Sequence, residues 1–315
     1  MPADSIGTPI LWIGFTALVI AFLALDLGVL HRRAREIRVR EALLWTLFWI
    51  ALAFVFNIGV YYWFGSERAL EFLTGYVIEK ALSVDNIFVF IVIFTYFGVA
   101  AELQHRVLFW GIIGALIMRA IFILLGAALI QSFHWVIYVF GGFLVYTGIK
   151  LLADHGTEVH PERNPLLRFF RRIIPAVDGY RGHRFTVVEN GRRLATTLLF
   201  VLIAIEATDL VFAVDSIPAI FAVTRDPFIV YTSNIFAILG LRALYFALAG
   251  VMNRFTYLRY GLALVLVFVG VKMLISDIYK IPIALSLGVV ALLLGGSMVI
   301  SLIRSAPEPR PANEP

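Results

Sequence analysis

Apolar residues in this chain come in long, nearly unbroken runs separated by short polar connections, a pattern unlike the one-sided stripe of a soluble helix. A hydrocarbon layer of about 30 Å needs roughly 20 apolar residues per helix. Nine runs meet that length, at about 8 to 30, 42 to 64, 69 to 97, 106 to 130, 134 to 153, 194 to 222, 228 to 250, 256 to 275 and 281 to 303. The pattern predicts an all-α polytopic membrane helix bundle of about nine transmembrane helices, forming one transmembrane domain over 1–315.

The connections set an orientation. "HRRAREIRVRE" holds Arg32, Arg33, Arg35, Arg38 and Arg40, and arginine-rich short loops stay in the cytoplasm. The N-terminus is then expected outside. Counting onward places "AAELQHR", segment 154–193, "NRFTYLR" and Arg304 inside, and "GSER", "QSFH", "TRDPF" and "SDIYK" outside. Segment 154–193, with eight arginines and five acids, reads either as a cytoplasmic linker or as a docking element.

Composition agrees with a membrane protein: 61% hydrophobic and 15% charged residues, with a mean hydropathy of +0.91. There is no cysteine, which excludes disulfides, thiolate metal ligands and thiol redox chemistry by the chain itself. The net charge of +5 lies in loop arginines and does not call for nucleic acid as a partner. The leader "MPADSIGTPI" has no basic residue, so no signal peptide is expected.

Two parts of the chain resemble each other. Aligning Asp85 with Asp215 sets "EKALSVDN" against "DLVFAVDS", so Glu79 falls on Asp209 and Asn86 on Ser216. Arg119 in "IMRAIFILLGAAL" then answers Arg242 in "GLRALYFALAG", and "FLVYTGIKLL" with Lys150 answers "LVFVGVKMLI" with Lys272. The expected organisation is a first three-helix repeat at 69–153, the loop 154–193, a second repeat at 194–275, and peripheral helices at 1–64 and 281–303. A three-span unit starts its second copy facing the other way, and such inverted repeats place binding sites near the bilayer midplane.

Intramembrane ionisable residues cost about 2.5 to 3.5 kcal/mol each on insertion scales, so they face the bundle interior, pair, or line a pathway. Five acids, Glu79, Asp85, Glu206, Asp209 and Asp215, lie in apolar runs against Arg119, Arg242 and Lys80. If all are ionised, two negative charges remain, which one divalent cation would balance. Protonated carboxyls or structural ion pairs are the alternative.

All six histidines, His31, His105, His134, His155, His160 and His183, lie in loops or at span edges. A midplane site must therefore use oxygen: carboxylates, the amides of Asn86 and Asn234, the hydroxyls of Ser83 and Ser216, or freed carbonyls. Oxygen sets suit Mg, Ca and Mn. Mn²⁺ is the expected ion, although this chemistry does not separate it from Ca²⁺.

Residues six apart lie about 120° from sharing a helix face, so Glu79 with Asp85, or Asp209 with Asp215, needs a helix break to grip one ion. Pro218 in "AVDSIPAI" predicts a kink or unwound turn beside Asp215. Glu206 and Asp209 already share a face. Asp26 reads as a partner of nearby arginines or a vestibule ligand, Asn57 as a helix-packing hydrogen bonder, and Lys150 and Lys272 as snorkelling span ends.

"GYVIEKALSVDNIFVF", "IEATDLVFAVDSIPAIFAVTRDPFIVYTSNIFAILGLRALYF" and "YLRYGLALVLVFVGVKMLI" resemble the TerC family of integral membrane proteins, particularly its Alx branch, from about residue 10 to 303. The resemblance implies a bacterial inner-membrane protein of the LysE-like transporter group, associated with tellurium resistance and, in this branch, with manganese export or redox modulation. Carried over, it implies metal contacts at Glu79, Asp85, Asn86, Glu206, Asp209 and Asp215. Tellurite, an oxyanion, would be repelled by ionised carboxylates, and a chain without cysteine lends the redox label no support.

The leading expectation is an exporter of a divalent cation, with the cation as substrate and no resident cofactor. Arg119 and Arg242 would compensate the acids when the ion is absent. The competing expectation is a membrane scaffold whose segment 154–193 recruits cytoplasmic stress-response proteins. With no nucleotide loop and no assignable nucleophile, the chain is not expected to be an enzyme.

Overall fold

A computed structural model of the chain describes residues 5–30, 39–133, 135–153, 173–177, 179–189, 191–249, 257–279 and 281–304, with backbone only at 25–30 (Asp26 among them), 88, 131, 258, 259, 302, Asp85 and Asp215. The arginine-rich connection 31–38, segment 154–172 and most of "NRFTYLR" lie outside the described residues.

Among the described residues, each of the nine apolar runs falls largely on helix. In chain order the elements are α1 (Pro9–Leu30), α2 (Val39–Tyr96), α3 (Ala101–Ser132), α4 (Val136–Ala153), a hairpin of β1 (Thr186–Glu189) and β2 (Arg192–Ala195), then α5 (Thr197–Phe221), α6 (Pro227–Leu239), α7 (Leu241–Leu248), α8 (Leu258–Leu274) and α9 (Ile283–Arg304). The chain is an all-α polytopic membrane protein. Among the described residues, α2, α3, α4, α5 and α9 are long and apolar enough to cross a membrane, and the pair α6 and α7, bent by 40°, makes a sixth. Helix α2 carries two of the apolar runs, joined at Gly65 with φ 90 and ψ 173. Only glycine takes that conformation readily, so the junction read as a loop, "GSER", is a hinge with helix on both sides.

Of the kink or unwound turn expected at Pro218, the unwound turn is absent: α5 runs on to Phe221 with Pro218 inside it. Pro218 cannot donate to the carbonyl four residues back, but it sits in the last turn, and its own carbonyl still accepts from the Ala222 amide at 3.0 Å. The break comes instead at Gly240, between α6 and α7.

Helix packing follows a paired scheme: α2 lies on α6, α3 on α5, and α4 on α8. The last contact is close enough to need glycine. A methyl at Gly148 would stand 2.8 Å from the Ala263 carbonyl and 3.0 Å from the Val267 amide; at Gly270 it would stand 2.7 Å from the Gly141 carbonyl and 2.9 Å from the Val145 amide. Gly148→Leu is expected to destabilise the bundle by about 1 to 3 kcal/mol through overpacking. Gly142→Leu on the same helix, where nothing lies within 4 Å, is the control, and melting temperature in detergent is the readout.

At the start of α6, Asp226 accepts from the Phe228 amide at 2.9 Å, and Pro227 supplies the fixed φ of the first helical residue. The same carboxylate binds the Ser5 hydroxyl and the Ile6 amide, each at 2.8 Å, which pins the N-terminal segment over α6. Nearby, Arg68 and Glu71 pair at 2.9 Å.

The described part of segment 154–193, expected as a linker or a docking element, carries structure of its own. Its hairpin pairs Thr186 with Ala195 and Glu189 with Arg192, and it docks on the bundle where the Tyr180 hydroxyl reaches the Phe97 carbonyl at 2.7 Å and Arg106 lies over the Phe185 ring.

Candidate functional site

Four buried polar side chains from four helices meet between the paired elements: Glu79 on α2, Arg119 on α3, Ser216 on α5 and Asn234 on α6. All four lie in largely apolar helical stretches, and removal from water costs least where such groups satisfy one another. One guanidinium nitrogen, Arg119 Nη1, donates to Glu79 Oε1, to Ser216 Oγ at 3.1 Å and to Asn234 Oδ1 at 3.1 Å. Asn234 closes the ring, its Nδ2 donating to Glu79 Oε2 at 3.0 Å. Arg119 Nε has no hydrogen-bond partner among the described residues.

Around this ring stand more charges. Asp209 is buried and interacts electrostatically with both Arg119 and Glu79. Glu206, one turn before it, interacts with Asp209 and lays its carboxylate over Gly114 of α3, where a methyl would fall 1.9 Å from Oε1. Gly114 is therefore the notch that admits the Glu206 side chain between α3 and α5. Lys80 points the other way along α2, its Nζ donating to the Ala237 carbonyl at 3.1 Å. In an unbroken helix that carbonyl would bond the amide of Leu241, four residues on; the break at Gly240 leaves it for Lys80.

The residues singled out from the sequence fall in several places. Glu79, Asp209 and Arg119 come together, with Glu206 beside them. Asn86 is buried on α2, seven residues and about 10 Å along the helix from Glu79. Arg242 is buried on α7. The side chains of Asp85 and Asp215 lie outside the described residues. Among the described residues no three carboxylate or histidine side chains gather as a metal cluster; the arginine stands against Glu79 with Asp209 nearby.

Ser216 and Asn234, offered from the sequence among the candidate oxygens but not among the six expected metal contacts, are direct members of the ring. The signal for Ser216 was its alignment with Asn86. For Asn234 it was the run Thr232, Ser233 and Asn234 inside the otherwise apolar "PFIVYTSNIFAIL".

A model described as "Integral membrane protein TerC family" matches residues 64–308. A Myxococcus xanthus protein named "Uncharacterized membrane protein STKORF319" is 58% identical over 97% of this chain and 96% of its own. The Escherichia coli protein named "Putative membrane-bound redox modulator Alx" is 49% identical over 96% of each chain. A Photorhabdus laumondii protein of the same name is 45% identical, over 95% of this chain and 96% of its own. No solved structure matches significantly.

Proposed function

Starting from the premise that the chain belongs to the TerC family of integral membrane proteins, we propose that it is a carrier that exports a divalent cation, with Mn²⁺ the expected substrate, by alternating access around the buried ring. One observation carries this reading. A single positively charged nitrogen is surrounded by a carboxylate, a hydroxyl and an amide oxygen, a donor set that suits a hard cation. Arg119 is the stand-in. It neutralises Glu79 while no ion is bound and would withdraw when the ion enters, with Asp209, and Asp85 and Asp215 on the same two helices, supplying further carboxylates.

The contact between α4 and α8 supports the inverted repeat. With Gly148 aligned on Gly270, Gly141 falls on Ala263 and Val145 on Val267, and each glycine meets the counterpart of what the other meets. Such reciprocity is the mark of a two-fold contact. The packing of α2 on α6 and α3 on α5 has the same reciprocity, first element on second in both directions. In this reading the ring lies at the interface of the two units, the N-terminus is outside and the C-terminus is in the cytoplasm of a bacterial inner membrane.

Proteoliposomes loaded with a metal-sensitive dye test the proposal. Wild-type protein is expected to move Mn²⁺ across the bilayer, and Asp209→Asn and Asp215→Asn to lose most of that flux. Equal flux in all three would overturn the carrier reading. The second reading, recruitment of stress-response proteins, draws on the folded hairpin Thr186–Ala195 and its exposed arginines. It predicts that deleting the hairpin abolishes the cellular phenotype, whereas a carrier so shortened should retain some flux.

A further inference from the structure

The buried polar residues of α2 fall on one seam. Phe72, Tyr76, Glu79, Ser83, Asn86 and Phe90 are spaced four, three, four, three and four apart, so all six lie on one face of a regular helix. A seam of this spacing is ordinarily apolar throughout. Here its four middle members are polar or hydroxyl-bearing and are buried, Tyr76 at 4%, Glu79 at 0%, Ser83 at 1% and Asn86 at 2% exposure. They cover about 15 Å of helix.

The Tyr76 hydroxyl and Ser83 Oγ are buried without a hydrogen-bond partner among the described residues. Buried, unmade hydrogen bonds are expensive, and these two flank Glu79 by one turn on either side. Both ends of the seam are closed by a buried ring. Phe72 stacks on Tyr76 with centroids 6.4 Å apart and planes 5° from parallel, and Phe90 belongs to the apolar cluster around Phe94 and Tyr245.

We propose that this seam is an occluded cation path through the bundle, in which the Tyr76 and Ser83 oxygens are ligands for a hard divalent cation on either side of Glu79, and Phe72 and Phe90 are its two gates. The inference rests on the carrier reading. It adds two neutral oxygen ligands to the carboxylate site and gives the two orphaned hydroxyls a partner.

Thermal stabilisation of the purified full chain by MnCl₂ tests it, since a ligand that binds only the folded state raises the melting temperature with concentration. Tyr76→Phe and Ser83→Ala remove one oxygen each and leave the packing. Without metal both variants should melt at or above the wild-type temperature, because an unsatisfied buried group is gone. Their apparent Mn²⁺ affinity should fall roughly tenfold, the worth of one charge-assisted contact. Glu79→Gln is the reference for the site itself and should abolish the metal-dependent shift. Unchanged affinity in both hydroxyl variants, with the shift lost in Glu79→Gln, would overturn the path and leave the carrier standing. A full shift in Glu79→Gln would overturn both.

Discussion

Arg119→Gln is expected to bind the divalent cation about tenfold to a hundredfold more tightly and to export it far more slowly. The guanidinium and the ion compete for the same oxygens. Two unit charges about 4 Å apart exchange roughly 4 kcal/mol at an effective dielectric of 20, so removing the competitor hands a sizeable part of that to the ion. Return of the empty carrier is affected in the opposite sense. Without its tethered cation, Glu79 would cross as a bare carboxylate, at about 2.5 to 3.5 kcal/mol, which corresponds to a rate roughly a hundredfold lower. Mn²⁺ titration and dye-loaded proteoliposomes measure the two effects separately. Exchange of labelled for unlabelled Mn²⁺ should survive in the variant, because that half of the cycle never needs the empty carrier. Weaker binding with undiminished net export would contradict the role given to Arg119.

Such a site was legible in the sequence as an anomaly, since charge inside an apolar run demands a reason whatever the fold. The partners were not legible. Glu79 bonds Asn234 across 155 positions and Arg119 bonds Ser216 across 97, and neither distance has a local signature. Helix positions followed the apolar runs closely because in lipid the backbone must satisfy itself. Breaks were harder. Pro218 looked like the interruption, but proline in a final turn removes a bond only where the helix is about to end. Gly240, hidden in "AILGLRAL", had the weaker signal and the actual bend. The hairpin was readable in "TVVENGRRLA", where a β-branched run meets Asn190 and Gly191; the surrounding charge drew attention away from it.

Glu79→Gln separates what the ring does for stability from what it does for transport. The substitution leaves a buried guanidinium facing an amide, and breaking one side of a buried pair costs about 3 to 5 kcal/mol, so a large fall in melting temperature is expected together with loss of flux. Adding Arg119→Gln removes the stranded charge. Two neutral amides beside Asn234 and Ser216 can donate and accept among themselves, and the double variant should recover most of the lost stability. Transport should stay lost, because the carboxylate at the centre of the ring is gone and the neighbouring Asp209 does not replace it there. A purely structural ion pair requires the reverse, with flux returning as the fold returns. Melting curves and Mn²⁺ flux on the same four proteins, wild type, both single variants and the double, decide between them: a double variant that is stable and still transports would make the Glu79 and Arg119 pair a structural brace, and one that is stable and silent would make it the carrier's moving part.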